Sequence, residues 1–195
     1  PKAHGDDPAR AVRASLAMGR ALDELNRELI ERDLPTLGIG IGINTAMVIT
    51  GNMGSETRLN YTAIGDGVNL TARIEGLTRV YEVPVIVCEN TKTAVPDFKF
   101  LELDRVRVKG KNEIERIFTP ITDNSNSYTL IGRHDAAITA YRNRQWNIAK
   151  NIFDELRGEF VEFSTIYDIY IRRISDYRIT PPPDNWDAVV TYEKK

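Results

Sequence analysis

Asn69 and Arg73 stand four residues apart, so a helix through this segment would put them on one face. An arginine fork matches the oxygens of a phosphate or carboxylate, and an asparagine amide orients a polar ligand. On spacing alone the pair reads as a solvated helix surface, and its chemistry has to be argued from its surroundings. The glycines upstream do not supply a phosphate cradle. Gly38-Ile39-Gly40-Ile41-Gly42-Ile43 neither contains G-x-x-x-x-G-K-[ST] nor completes G-x-G-x-x-G. Glycine alternating with isoleucine describes instead a strand with one apolar face and one face stripped of side chains, against which a helix, another chain or a ligand packs closely.

The elements that must position these residues follow from periodicity. Asp7 before Pro8 opens a helix, and Val12, Leu16, Leu22, Leu25 and Leu29 carry it to about Asp33, where Pro35 closes it. The Gly–Ile strand is expected to run on through Met47-Val48-Ile49, with Gly51-Asn52-Met53-Gly54-Ser55 as a turn. A short strand from Leu59 to Ile64 leads through Gly65-Asp66-Gly67 into a helix whose buried stripe is Leu70, Ile74, Leu77 and Tyr81. Asn69 and Arg73 are offset from that stripe. Pro84 to Cys88 reads as a strand, and Thr91 to Val95 as a helical turn. Phe98 to Val108 and Glu115 to Pro120 read as a hairpin around Lys109-Gly110-Lys111-Asn112. The order predicts an α+β fold with a largely antiparallel sheet.

The polar run Asp123-Asn124-Ser125-Asn126-Ser127 is taken as the boundary between two units, residues 1–122 and a helical tail at 123–195. In the tail, Ala137, Tyr141, Trp146, Ala149, Phe153 and Leu156 are spaced as the contacts of a helical hairpin. Ile166, Tyr170, Ile174 and Tyr177 mark a third helix, stopped by Pro181-Pro182-Pro183. So many aromatic rings are not left in water. The third helix is expected to fold back on the hairpin, with Trp186 capping the assembly and the remainder docking on the first unit or on a dimer partner.

Composition narrows the function classes. A formal net charge of -2 over 195 residues gives no electrostatic support for a nucleic-acid partner. No apolar run approaches the roughly 20 residues of a spanning helix, and no basic leader precedes an apolar stretch. A single cysteine, Cys88, excludes an intrachain disulfide and suits a reducing, cytoplasmic compartment. The start lacks Met and reads as a cut from a longer protein.

The ordered text decides more than any single motif. GIGINTAMVITGNMGSETRLNYTAIGDGVNLTARIEGL, then VPVIVCENT, then FKFLELDRVRVKGKNE, resembles the second half of class III adenylate and guanylate cyclase catalytic domains in letters, order and spacing, from about Asp7 to Ile121. The resemblance implies a ferredoxin-like domain acting as a head-to-tail homodimer with its active sites at the subunit interface. It places the catalytic asparagine and arginine on Asn69 and Arg73. It puts the base-reading position before A-I-G on Thr62, and the triphosphate lysine of V-K-G-K on Lys109. The ribose 3′-hydroxyl attacks the α-phosphorus in line and pyrophosphate leaves, so charge collects on phosphoryl oxygens that Arg73 and Lys109 suit, while Asn69 orients the ribose.

There are departures. The family's two metal-binding aspartates and a base-reading lysine belong to its first half and have no counterpart here. Asp6, Asp7 and Asp66 do not occupy those positions. The two Mg²⁺ or Mn²⁺ ions that the family uses are therefore expected to be held by a missing N-terminal part, and this stretch alone is expected to be inactive. Ala46 stands where many relatives have glycine, and Thr62, familiar in bacterial members, favours ATP over GTP. The expectation is part of a bacterial-type adenylate cyclase forming cyclic AMP for intracellular signalling, in a parent tethered to a membrane through an upstream sensor. Its tail resembles one tetratricopeptide-type hairpin. The rival is a catalytically silent cyclase-like module for dimerisation or regulation, to be separated by whether paired aspartates occur upstream.

Overall fold

The computed structural model describes residues 4–55, 58–108, 114–122 and 124–192. Helix α1 (Asp7–Glu31) has proline in its first turn, but its cap falls on Asp6, one residue earlier than the sequence suggests. Asp7 instead accepts the His4 backbone N–H at 2.8 Å. Only the first half of α1 is anchored, through Val12 and Ser15, while Met18, Leu25 and Ile30 are exposed.

Strand β1 (Ile41–Ile43) is shorter than expected and stops before Met47. The predicted turn at 51–55 is instead part of strand β2 (Ile49–Ser55), which pairs antiparallel with β3 (Arg58–Ile64) from Ile49↔Ile64 to Ser55↔Arg58. The backbone ladder across the hairpin overrides the turn propensity of its glycines. After β3 come α2 (Asp66–Tyr81), β4 (Val85–Cys88), α3 (Glu89–Ala94), β5 (Lys99–Val108) and β6 (Glu115–Ile121). The tail is α4 (Ser127–Arg142), α5 (Trp146–Glu159), a 3₁₀ turn at Val161–Phe163, α6 (Ser164–Ile179) and β7 (Val190–Tyr192).

The architecture is α+β, as expected, but the main sheet is mixed. Its order is β1-β4-β6-β5-β7, with antiparallel pairs in the centre and parallel pairs at both edges. The β5–β7 pair was not foreseen, because three residues beyond a triple proline carry no readable period.

Period two then sorts the core. Ile41, Ile43, Val85, Val87, Phe100 and Phe118 meet Val12 and Leu16 of α1 on one face. On the other face α2 lies directly on the bare side of β1. A Cβ added at Gly42 would come 2.7 Å from the Thr71 carbonyl oxygen and 3.0 Å from the Glu75 nitrogen, and one at Gly40 would strike the Thr78 side chain. The approaching object is therefore a helix. Ile86, Cys88, Leu101 and Leu103 continue this second core, which runs without a break into Leu130, Tyr141, Phe153, Tyr170 and Ile174 of the tail.

The tail packs as its aromatic content requires. Phe153 stacks on Tyr170 with centroids 4.9 Å apart, and Trp186 meets Tyr141, Trp146 and Tyr177 at 5.4, 5.6 and 5.2 Å. Arg144, in the α4–α5 turn, ties down the triple proline by donating to the carbonyls of Pro182, Pro183 and Asp184. Among the described residues, no helix is long and apolar enough to cross a membrane.

The glycine contacts can be tested by substitution. Gly42→Ala forces a methyl into the α2 backbone and is expected to cost about 1–3 kcal/mol, as overpacking does. Gly38, with nothing within 4 Å of its added Cβ, should accept alanine within about 0.5 kcal/mol. Urea unfolding compares the two, and equal costs would show that β1 does not lean on α2.

Candidate functional site

The β3–α2 junction carries three of the four sequence-predicted site residues. Thr62 lies on β3 opposite Gly51, in a register that puts it on the same hairpin face as the Ile49–Ile64 pair. Asn69 and Arg73 lie one turn apart on α2, and both are exposed because Leu70, Ile74 and Leu77 turn the neighbouring side of the helix into the core. Gly65 makes the sharp entry with φ +148°, a conformation that a side chain would strain. Its carbonyl accepts the amides of Val68 and Asn69 at 3.1 and 3.2 Å, closing the first turn.

The segment after β1 braces this entry. Asn44 Nδ2 donates to the Gly67 carbonyl at 3.3 Å, as Thr71 Oγ1 does at 2.7 Å, and a Cβ at Gly67 would lie 2.5 Å from the Ala46 methyl. Ala46 is thus tolerated because its partner is glycine. The side chains of Thr62, Asn69 and Arg73 make no hydrogen bond or ion pair among the described residues, so their polar groups face water. Lys109 lies outside the described residues. No group of three or more His, Cys, Asp or Glu side chains among those described could hold a metal ion. The described residues therefore do not fit the two ions that the resemblance implies.

The site is thus an exposed asparagine and arginine on a helix set on a glycine-stripped strand, followed by the β4–α3–β5–β6 order. The family model for the adenylate and guanylate cyclase catalytic domain matches residues 4–120. The chain belongs to this family. An adenylate cyclase of Anabaena cylindrica is 36% identical over 116 residues, covering 55% of this chain and 23% of that protein, so the chain spans about a quarter of its relative. The adenylyl cyclase CyaB of P. aeruginosa superposes with a TM-score of 0.57 at 25% identity, over 64% of this chain and 63% of that one. The guanylyl cyclase Cya2 superposes at 0.53 and 31% identity, with the same coverages. The cyclase match stops at residue 120, before α4 begins.

The sequence reading missed a group of buried charges on β5. Glu102 Oε2 accepts from Arg116 at 2.7 Å, and Glu102 Oε1 accepts from Arg142 of α4 at 2.5 Å. Burial pushes its carboxyl up, but hydrogen bonds from the two arginines outweigh this and hold it below the ordinary value. Two residues on, Asp104 Oδ2 accepts from Tyr81 at 2.7 Å and from Arg173 of α6 at 2.6 Å, and its Oδ1 accepts the Arg105 amide. The available signal was two acidic residues, Glu102 and Asp104, alternating with the leucines at 101 and 103, which demand donor partners when buried.

His134 of α4 joins the tail to the same strand, with Nε2 2.7 Å from the Glu102 carbonyl. A carbonyl only accepts, so Nε2 carries the proton, and buried Nδ1 has no partner to receive a second one. Burial lowers the pKa from its ordinary 6.5. The sign follows from the unfolded chain binding the extra proton more readily. His134's contribution is whole above about pH 6.5 and fades as pH falls through the depressed value. Glu102 loses its contribution in a lower window, below its ordinary 4.5. Stability should therefore fall by about 1 kcal/mol between about pH 7.5 and pH 5. His134→Gln, which keeps a donor but cannot titrate, should flatten that slope in urea unfolding. An unchanged slope would remove His134 as its source.

Proposed function

We propose that this chain supplies part of the active site of an adenylate cyclase converting ATP to 3′,5′-cyclic AMP and pyrophosphate. The observation that carries the reading is the exposed, unpartnered Asn69–Arg73 pair on α2, within a segment that the cyclase family matches from residue 4 to 120. On this reading Arg73 meets phosphoryl oxygens as charge builds on them, and Asn69 holds the ribose so that its 3′-hydroxyl faces the α-phosphorus. Lys109 contacts the triphosphate, and Thr62 accepts a hydrogen bond from the adenine amino group. The relative named adenylate cyclase supports ATP as substrate, although a solved neighbour of similar fold is a guanylyl cyclase.

The test uses an intact enzyme in which the family's metal-binding segment accompanies this chain, with Mn-ATP as substrate. It should form cyclic AMP, whereas residues 1–195 alone should form none. Arg73→Ala should lower kcat about 10²–10³-fold with a smaller effect on KM, because the charge it meets is largest in the transition state. Thr62→Ala should narrow the preference for ATP over GTP and leave the metal dependence alone. Equal activity in the Arg73 variant would return that residue to the solvated surface.

The reading also calls for a second copy of the chain. Met47 is 95% exposed and Ile49 68%, and with Ile64 they leave an apolar surface on one face of the β2–β3 hairpin and the segment leading into it, while Leu59 and Tyr61 are exposed on the other face. Exposed apolar surface of this kind marks an interface, and a head-to-tail homodimer would cover it. Sedimentation should show concentration-dependent dimers that Ile49→Glu abolishes without unfolding the monomer. Dimers that persist in the variant would place the interface elsewhere.

A further inference from the structure

Helix α2 carries Asn69 and Arg73 in its first half and ends on Tyr81, whose ring is buried. Its last turn is held by residues of the tail. Tyr81 gives its single hydroxyl proton to Asp104 on β5, so in the 2.9 Å contact between Tyr81 and Tyr192 of β7, Tyr192 is the donor. The two rings also meet edge-on at 6.5 Å. Arg173 of α6 donates to the same Asp104 oxygen, and Thr165, in the first turn of α6, donates at 2.7 Å to Glu82, the residue that caps α2.

The same tail segment holds the end of β5. Strand β7 runs parallel to it in the register Val106↔Val190, Arg107↔Thr191 and Val108↔Tyr192, and Arg107 reaches Asp187 at 3.5 Å. Val108 is the residue before Lys109 in the chain. Tyr192 therefore touches α2 with its hydroxyl while its backbone is in register with the last residue of β5. No other described strand pairs with this edge of the sheet.

We propose that Tyr192 and Arg173 are positioning residues for the candidate site. With β7 and α6 they form a clip that fixes the end of α2 against the end of β5, and so the placement of Asn69 and Arg73 relative to the end of that strand. This rests on the cyclase reading above. A buried carboxylate read by three donors is a weak way to add stability compared with apolar packing, but it specifies one geometry closely. Both positioning residues lie beyond residue 120, where the family match ends.

The experiment compares the parent with Tyr192→Phe, which removes one hydroxyl and keeps the ring, and with the pair Arg173→Lys and Arg173→Met. In residues 1–195, Tyr192→Phe should speed amide exchange at residues 78–83 about five- to tenfold, the effect of one lost buried hydrogen bond. In the intact enzyme, the same change should lower kcat about tenfold while KM for ATP moves less than about threefold. Arg173→Lys, which keeps a charge for Asp104, should retain much more activity than Arg173→Met.

Two results would overturn the clip: exchange at 78–83 that does not change, or faster exchange with kcat intact, which would make the contact structural only. Failure of the unmodified intact enzyme to form cyclic AMP would be a different result, against the cyclase reading, and the exchange measurement would still judge whether the tail holds α2. Should Arg173→Met fail to fold, Tyr192→Phe decides alone.

Discussion

Asp104 puts a carboxylate inside the protein where the sheet, α2 and the tail meet, with its side chain only 2% exposed. An unpaired charge in that place would cost several kcal/mol, so the surrounding elements must bring donors to it. They come from three directions: Tyr81 from the end of α2, Arg173 from α6, and a backbone amide from β5 itself. Burial and the nearby carboxylate keep the proton on Tyr81, and although burial works against the charge on Arg173, Asp104 together with the surrounding tyrosines Tyr81, Tyr170 and Tyr141 more than restores it. Each partner is an oriented donor and not merely a nearby charge. The relative placement of the three elements is thus set by hydrogen-bond geometry as well as by apolar contact.

The same arrangement recurs one pleat away at Glu102, where arginines from β6 and α4 converge. Together the two acidic residues turn the join between cyclase domain and tail into a set of specific pairings. Tyr170 and His134 reinforce it by bonding the carbonyls of Leu103 and Glu102, next to a bulge that breaks the β5–β6 register between Glu102 and Asp104. A strand whose backbone bonds to the tail on one side and to the sheet on the other belongs structurally to both.

What could be read from the sequence follows from what leaves a pattern. The stripe Leu70, Ile74, Leu77, Tyr81 and the bare face of Gly40 and Gly42 were legible, because burial and close packing repeat at helix and strand periods. That the bare face receives α2, not a ligand, was not legible, since glycine records closeness and not the neighbour. Gly51 to Ser55 misled because turn-forming residues tolerate an exposed ladder, and β7 because it is too short to have a period. Asn69 and Arg73 stand out only through the ordered text around them, as solvated side chains leave no burial signature. The Asp104–Arg173 pair spans 69 residues and could not be matched from local spacing.

The contact between Tyr81 and Tyr192 closes a loop of 111 residues. Closing a flexible loop of that length costs about 4 kcal/mol in chain entropy before any contact repays it. During synthesis α2 and β5 emerge well before β7, so until β7 is made that edge of the sheet stays open and the Tyr81 hydroxyl lacks one neighbour. The long-range closure belongs among the late steps of folding. A chain interrupted between α6 and β7 would keep the segment that carries the family resemblance, yet leave the helix bearing Arg73 less firmly held.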